Sequence, residues 1–466
     1  MDTLVAKLQA LLGPDAVLTG EAAKERGFSP WTRVGAPRAV VKPKSTEEVS
    51  GVIKLARADG AAVVPWGGLT GLVSGAAAEG AIALSLERMN AIESIDRLQG
   101  VMTVQAGCVL ARACEAAEAE GLFLPLDLGA RGSATIGGNI STNAGGNRVL
   151  RYGMMRDMVL GLEAVLADGT IVPALNHLMK NNTGIDLKQL FIGAEGTLGV
   201  VTRAVIRLRP SPAARETGFL AVPEFDALPQ LLRALEADMG GGLSAFEVMW
   251  PEFYELVTTE PAKGRPILPH GSPFYVLTEM LGADAAQDAP RFERAITRAF
   301  EAGWVTDAVI AKSGAERDSM WALRDDVAQT ARNGPMVAFD VSLPIARMQD
   351  YLAEVRDALA KRWTGARLVV FGHLGDGNLH LVAGVGDASA RRAIEDIVYG
   401  PLQARQGSVS AEHGIGLQKR PYLALSRSPE ELALMRLIKR SLDPTNTLNP
   451  GKIYELEPIA QPVAAQ

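Results

Sequence analysis

The chain has 466 residues, enough for two large domains or about three of ordinary size. Apolar residues make up 47% and charged residues 21%, so intrinsic disorder is excluded as the main description and a large core is expected. The formal net charge is −6 with no long basic run, which argues against nucleic acid as the main ligand.

The N-terminal MDTLVAKLQALLG has no basic leader and no clean apolar run, so an amphipathic helix is expected there rather than a signal peptide. Strands are expected at 39–43 and 61–65, with a helix between them. Ser45 is placed as its N-cap and Glu48 as the partner of a capping box. Further strands follow at 81–86, 101–107, 160–172 and 198–210, the Asp168-Gly169 pair marking a hairpin turn. Residues 61–78 carry no charge, but Pro65, Gly67, Gly68, Gly71 and Gly75 within them suit a loop around a ligand, not a membrane span.

RPSP at 209–212 closes this region. Beyond it, helical patterns at 226–238, 287–303, 313–332, 344–363 and 388–406 alternate with strands near 216–222, 273–280, 336–342 and 367–372. An α+β domain is expected, with a mostly antiparallel sheet covered by helices. From about 421 the chain is helical, and its last dozen residues are expected to fray. The division is 1–210, 211–420 and 421–466. Cys108 and Cys114 cannot build a disulfide framework and fit buried thiols in a reducing compartment, so a cytoplasmic location is expected.

The chain's 48 glycines come in short clusters. PWGGLTG at 65–71 follows a strand, where successive N–H groups can nest a pyrophosphate. DLGARGSATIGGNISTNAGGNRVLRYG at 127–153 interleaves glycines with small hydroxyls and amides, suiting a large, flat, hydrogen-bonding cofactor. IGAEGTLGVV at 192–201 runs into a strand. No G-x-G-x-x-G opens a helix after a strand, which disfavours a Rossmann dinucleotide site.

Of the five histidines, His177 and His270 are expected in loops. His373 and His380 flank the turn of RLVVFGHLGDGNLHLVAG and are expected as a cross-strand pair. Glu412 and His413 lie in SVSAEHGIG. Two histidines and a carboxylate are a common ligand set for a divalent metal, with His413 placed as a general base. A structural hairpin pair is the alternative, and the residues alone leave both open.

Eight blocks, PLDLGARGSATIGGN, TNAGGNRVLRYG, NNTGIDLKQLFIGAEGTLG, LSAFEVM, SPFYVL, GHLGDGNLH, GSVSAEHGIG and LDPTNTLNPGK, occur in this order between residues 30 and 454. In them the chain resembles the FAD-dependent D-2-hydroxyacid dehydrogenases of the vanillyl-alcohol oxidase/p-cresol methylhydroxylase fold, and among these the D-2-hydroxyglutarate dehydrogenases. The resemblance implies a two-part FAD domain, to which the C-terminal segment returns, and a cap domain. It implies a pyrophosphate loop of Pro65, Trp66, Gly67, Gly68, Leu69, Thr70 and Gly71. The implied flavin lining is Leu128, Gly129, Gly132, Ser133, Gly137, Gly138, Asn139, Thr142, Asn143, Gly145, Gly146, Glu195, Gly196, Gly199, Val200 and Val201, with Asn449. No histidine precedes residue 177, so FAD is expected to be held non-covalently.

By the same resemblance, His373, His380 and Glu412 ligate zinc or manganese, His413 is the catalytic base, and Arg324 grips the substrate carboxylate. The implied reaction takes a D-2-hydroxy acid to its 2-oxo acid, with the metal acidifying the hydroxyl and hydride passing to FAD. An external acceptor (electron-transfer flavoprotein, quinone or cytochrome) then reoxidises the flavin, and a homodimer is compatible with the family. The implied pocket residues are Asn378, Val382, Ala328, Phe339 and Trp250. D-2-hydroxyglutarate dehydrogenases usually carry Asn where Val382 stands, Thr at Ala328, Lys at Ala338 and Asp at Trp250. Loss of these polar groups points to an apolar monoacid such as D-lactate, a longer alkyl acid or D-mandelate, unless Arg332 or Lys312 replaces them. A flavin oxidase or ether-forming enzyme would not need the His/His/Glu set, and a non-catalytic FAD-binding subunit would tend to lose His413 and Arg324.

Overall fold

The computed structural model describes residues 2–456. Two larger sheets and the short pair Leu122–Phe123 with Arg209–Pro210 build the N-terminal unit. In the first, Val17–Leu18 runs antiparallel to Ala39–Val41, which continues in parallel through Ile82–Ser85 to Val63–Trp66. The second is a five-stranded antiparallel sheet ordered Ile92–Asp96, Val101–Gln105, Val200–Arg207, Val159–Val165, Ile171–Ala174. The helix Thr46–Asp59 buries Val49, Val52, Ile53 and Ala56, one apolar stripe, in the core shared by these sheets. Ser45 caps it by accepting from Glu48 N, but the Glu48 carboxylate reaches past Ser45 to Lys44 N, so the capping box is closed one residue early.

The second unit is a seven-stranded antiparallel sheet ordered Asp307–Ile310, Ala214–Val222, Phe274–Gly282, Leu243–Met249, Arg367–Gly372, Asn378–Gly384, Val337–Ser342. The helices Ala227–Met239, Ala285–Glu301, Met348–Arg362 and Arg391–Tyr399 cover one face and share its core with Phe246, Val248, Leu379 and Leu381. The period-2 alternation of strands sends Glu247, Met249, His380 and Val382 to the other face, which meets the N-terminal unit. Arg148 of that unit bridges its own Asp127 to Glu279 of the sheet, 3.2 Å away.

Several elements differ from the sequence reading. The pattern at 313–332 is a helix Gly314–Asp325 followed by a 3-10 turn Val327–Asn333, because Asp326 leaves helical geometry at ψ 48°. The pattern at 388–406 is α-helical only over Arg391–Tyr399; Pro401, which has no N–H to donate, lies in the 3-10 segment beyond. Ile92–Asp96 and Leu243–Met249 were not expected as strands. The first is a polar edge, and the second is buried at every position and shows no alternation.

After a 3-10 turn Arg420–Leu425, the helix Pro429–Leu442 leads back to the N-terminal unit. Lys439 Nζ donates to Thr197 O at 2.8 Å, Asn449 N to Val63 O at 2.8 Å, and Lys452 Nζ to Ala77 O at 2.7 Å. The expected fraying of the last dozen residues concerns positions that, from 457 on, lie outside the described residues. Among the described residues, no helix is long and apolar enough to cross a membrane.

Candidate active site

His373 and His380 belong to one hairpin. Its strands pair Phe371 with His380, and the turn spans 373–377, closed by Gly377 at φ +84°. The two histidines are therefore not a cross-strand pair, because His373 starts the turn. Their rings still converge, with centroids 5.2 Å apart at 76°. Gly372 is required where the strand ends. Its φ is +147°, and a Cβ there would lie 2.9 Å from Asn378 O and 3.0 Å from His380 N.

Glu412 arrives from a separate turn. Its Oε1 stands 3.5 Å from His380 Nε2 and 4.0 Å from His373 Nε2, and the three ligand atoms lie within 4.8 Å of one another. Ligands about 2.0–2.1 Å from a tetrahedral cation are about 3.4 Å apart, so this trio is close to a closed coordination face. Burial, helped by His373, Arg324 and His413, outweighs the pull of Glu412 and pushes His380 down to about 3, leaving a neutral ring with a free lone pair. Burial opposes charge on Glu412, but the His413 hydrogen bond and the His373 and His380 rings outweigh it and hold the carboxyl well below its usual range. Burial also opposes charge on His373, but the Glu247 carboxylate prevails and raises that ring above its usual range. The neutral His380 nitrogen, the His373 ring steered by Glu247 and the Glu412 carboxylate are donor types that suit a divalent cation.

A second layer orients these groups. Glu247, fully buried, bonds His373 Nδ1 at 2.7 Å and accepts from Arg324 Nε at 2.7 Å, which turns His373 Nε2 toward Glu412. Arg324 Nη2 lies 3.1 Å from that same nitrogen, and its guanidinium sits over Phe371. Asp340, also fully buried, accepts from the backbone N–H of Ala411, Glu412 and His413 and pairs with Lys419. Its Oδ1 stands 3.1 Å from His413 Nδ1, while His413 Nε2 is 3.5 Å from Glu412 Oε1. Burial disfavours the imidazolium, yet Asp340 and Glu412 prevail and raise His413 to about 9. Glu247, Asp340 and Lys419 were missed from the sequence. The available signal was an acid at an inward position of two otherwise apolar strands, LSAFEVM and VAFDVS.

The glycine clusters meet one another beside this site. A Cβ on Gly68 would lie 1.9 Å from Ser133 O, and one on Gly67 2.6 Å from Thr135 Oγ1, so the first two clusters pack backbone to backbone. Thr135 caps the short helix Ile136–Thr142, and Asn143 ends it in the left-handed region. Gly71, Gly129 and Gly132 face open space. Gly196 packs on Pro65. Gly145 adjoins the trio: a Cβ there would be 3.5 Å from Glu412 Oε2. Asn139 Nδ2 and Asn449 Oδ1 are buried without a partner in the protein, as an added hydrogen-bonding ligand would require. The side chains of Trp66, Val200 and Val201 point into the core, so only their backbones are available to a cofactor. These features fit FAD.

The sheet face around the trio is apolar on one side. Val382 lies two residues beyond His380 on the same face and pairs directly with Ala338, which is exposed. Asn378 shares that face, and its Oδ1 is buried without a partner. Ala328 is exposed in the 3-10 turn, outside the helix that carries Arg324. Phe339 and Trp250 are corrected as pocket residues. Strand alternation turns Phe339 to the helix-covered core against Tyr399, and Trp250 packs on Phe274 in that same core. Arg332 donates to Leu256 O and Thr259 O, and Lys312 pairs with Glu293, so neither replaces a polar group at the trio. His177 and His270 lie exposed in loops.

Residues 37–174 match the FAD binding domain family and residues 211–453 the FAD linked oxidase C-terminal domain family. The chain is 41% identical to the mitochondrial D-2-hydroxyglutarate dehydrogenase of Bos taurus, over 94% of this chain and 81% of that protein. It is also 41% identical to D-2-hydroxyglutarate dehydrogenase of Xanthomonas citri pv. viticola, over 97% of each. Its fold matches p-cresol methylhydroxylase at TM-score 0.80, with 19% identity and 97% of each chain covered. It also matches alkyldihydroxyacetonephosphate synthase at TM-score 0.75, with 18% identity over 97% of this chain and 84% of that one. The paired units, the glycine loops and the shared sequence together place this chain in the FAD-linked oxidase family, as an FAD-dependent oxidoreductase of the D-2-hydroxyglutarate dehydrogenase type acting on CH–OH donors.

Proposed function

We propose that the protein oxidises a D-2-hydroxy acid to its 2-oxo acid at the junction of its two units. The observation that carries this reading is the convergence of His373, His380 and Glu412 beside His413 and Arg324, against Gly145 of the cofactor loops. FAD, when bound, supplies the acceptor for the hydride leaving C2. A divalent cation, zinc or manganese, when held by His373, His380 and Glu412, supplies the positive charge that acidifies the 2-hydroxyl.

The chain's own groups do the rest. Asp340 holds His413 Nδ1, which leaves Nε2 to take the hydroxyl proton. Glu247 fixes Arg324 through Nε and Nη2 lies 3.1 Å from His373 Nε2, which leaves Nη1 to pair with the substrate carboxylate. An external electron acceptor completes the cycle, and the two free thiols suit a cytoplasmic setting. His413→Ala is expected to abolish anaerobic flavin bleaching by substrate while flavin stays bound. Unchanged bleaching would remove His413 as the base. Chelation is expected to stop turnover and added divalent ion to restore it; a metal-free chain with full activity would remove the cation.

The Val382–Ala338 pair favours a second reading, in which the substrate side chain is apolar. Three cations that reach acids of this sheet are already engaged: Arg324 with Glu247, Lys419 with Asp340, Arg148 with Asp127 and Glu279. A second carboxylate placed there would lose partners worth about 1–3 kcal/mol each. Bleaching rates with D-2-hydroxyglutarate, malate, lactate, 2-hydroxyisocaproate and mandelate decide between the two. Fast reaction with 2-hydroxyglutarate alone would overturn the apolar reading.

A further inference from the structure

We infer that Glu195, a residue of the cofactor-binding unit, is a positioning residue for the metal site: it anchors, from the opposite side to Asp340, the turn that carries Glu412 and His413. The inference rests on the reading of His373, His380 and Glu412 as a cation site.

Residues 410–416 form no α-helix or strand, so their order must come from groups outside the turn. Asp340 Oδ2 accepts from Ala411 N at 3.1 Å, Glu412 N at 2.9 Å and His413 N at 2.9 Å. Glu195 takes the next stretch: its Oε1 accepts from Ile415 N at 2.7 Å and its Oε2 from Gly416 N at 2.9 Å. Gly414 lies between the two anchors at φ +80°, and a Cβ there would stand 2.8 Å from Glu195 Oε1. The turn bearing the third ligand and the base is thus strung between two buried carboxylates, one from each unit.

Glu195 is itself fixed. Its φ is +50°, its N–H donates to Ser141 O at 2.7 Å, and its carbonyl accepts from Asn449 Nδ2 at 2.7 Å. Ser141 lies in the second glycine cluster and Glu195 in the third. Glu195 thus ties both clusters, through one side chain, to residues 415 and 416 at the end of the turn that carries Glu412. Outer groups that orient a metal ligand typically change metal affinity by about 10–100-fold when altered.

The test is a Mn²⁺ titration of chelator-treated holoenzyme, read by the paramagnetic signal of free ion, for the natural protein and Glu195→Gln. The amide keeps one acceptor and turns an N–H against the other donor. The Mn²⁺ dissociation constant is expected to rise about tenfold or more. Turnover lost at limiting Mn²⁺ is expected to return at saturating Mn²⁺, a split that general loosening of the fold does not produce. Equal affinity at matched flavin content overturns the inference. If Glu195→Gln sheds flavin, the comparison is with the natural chain stripped of flavin. If it does not fold, Glu195→Asp, which keeps the charge but withdraws it by one methylene, is read against the same criterion. A natural protein that binds neither Mn²⁺ nor Zn²⁺ defeats the cation-site reading, and this inference with it, in the first control.

Discussion

Asp340 holds His413 twice. One carboxylate oxygen accepts the backbone N–H of His413 at 2.9 Å, and the other lies 3.1 Å from Nδ1 of its ring. The same acid thus sets both where the base sits and which nitrogen it presents. It also sets the proton affinity. Burial works to lower the His413 pKa, and Asp340 leads the contacts that raise it to about 9. A base must be neutral, so flavin reduction should rise with pH through the His413 titration. Asp340→Asn removes the largest raising contact, so the midpoint of that profile is expected at lower pH, with a lower plateau because ring orientation is lost. An unshifted midpoint would dismiss Asp340 as the cause. The pair also bears on stability: with the folded value raised from 6.5 to about 9, its contribution is complete below about 6.5 and lost as pH climbs through about 9.

Glu247 joins His373 to Arg324 with both oxygens, in a place where water has no access. Glu247→Gln is expected to weaken metal binding by about 10–100-fold, since Nδ1 of His373 loses its charged partner. It should also lower stability by about 3–5 kcal/mol, because the Arg324 charge stays buried without its counter-ion. Denaturant unfolding and metal titration on the same variant check the two halves separately. A variant that keeps wild-type stability would show that Arg324 finds another counter-charge, with Asp325 the nearest at 3.9 Å.

Ala338 and Val382 face one another across the outer strand pair, on the side that carries His380. A substrate chain leaving the trio in that direction meets methyl groups. Ala338→Lys with Val382→Asn puts a cation and an amide at the two positions. The change is expected to raise kcat/KM for D-2-hydroxyglutarate relative to D-2-hydroxyisocaproate by roughly ten-fold or more, the effect of one to two buried polar contacts. An unchanged ratio would place the substrate side chain elsewhere on the sheet.

How much of this site was legible depended on what kind of signal each residue sends. His373, His380 and Glu412 could be grouped because their residue types are chemically rare and their local motifs glycine-rich, although His380 pairs with Phe371, two residues before His373. Glu247 and Asp340 sent almost no signal. An acid inside an apolar strand becomes meaningful only once its partners Arg324 and His413 arrive from elsewhere in the chain. Phe339 and Trp250 show the opposite failure. Phe339 adjoins Asp340 in sequence, and a single step along a strand reverses the face. Trp250, placed by the resemblance, follows the strand of Glu247 and packs with Phe246 and Val248 in the helix-covered core. The strand Leu243–Met249 was invisible as an element because burial on both faces erased its alternation.

The glycine loops give the last prediction, since the structure separates glycines that let the chain pack from glycines that leave room. At Gly68 a methyl group would lie 1.9 Å from Ser133 O, backbone against backbone, so nothing flexible can yield. Gly68→Ala should push the first cluster off the second, destabilise the fold and leave a purified protein without flavin colour. At Gly71 nothing stands within 4 Å of the added Cβ, so Gly71→Ala should melt as the natural protein does. Its flavin is expected to be held less tightly, because the open space beside Gly71 is where the resemblance puts the pyrophosphate. Flavin released on denaturation, counted per chain, and the melting temperature of each variant separate the two effects. A Gly71→Ala protein with natural flavin content and affinity would mean that the cofactor passes that loop at a distance, and that Gly67 and Gly68 serve loop packing alone.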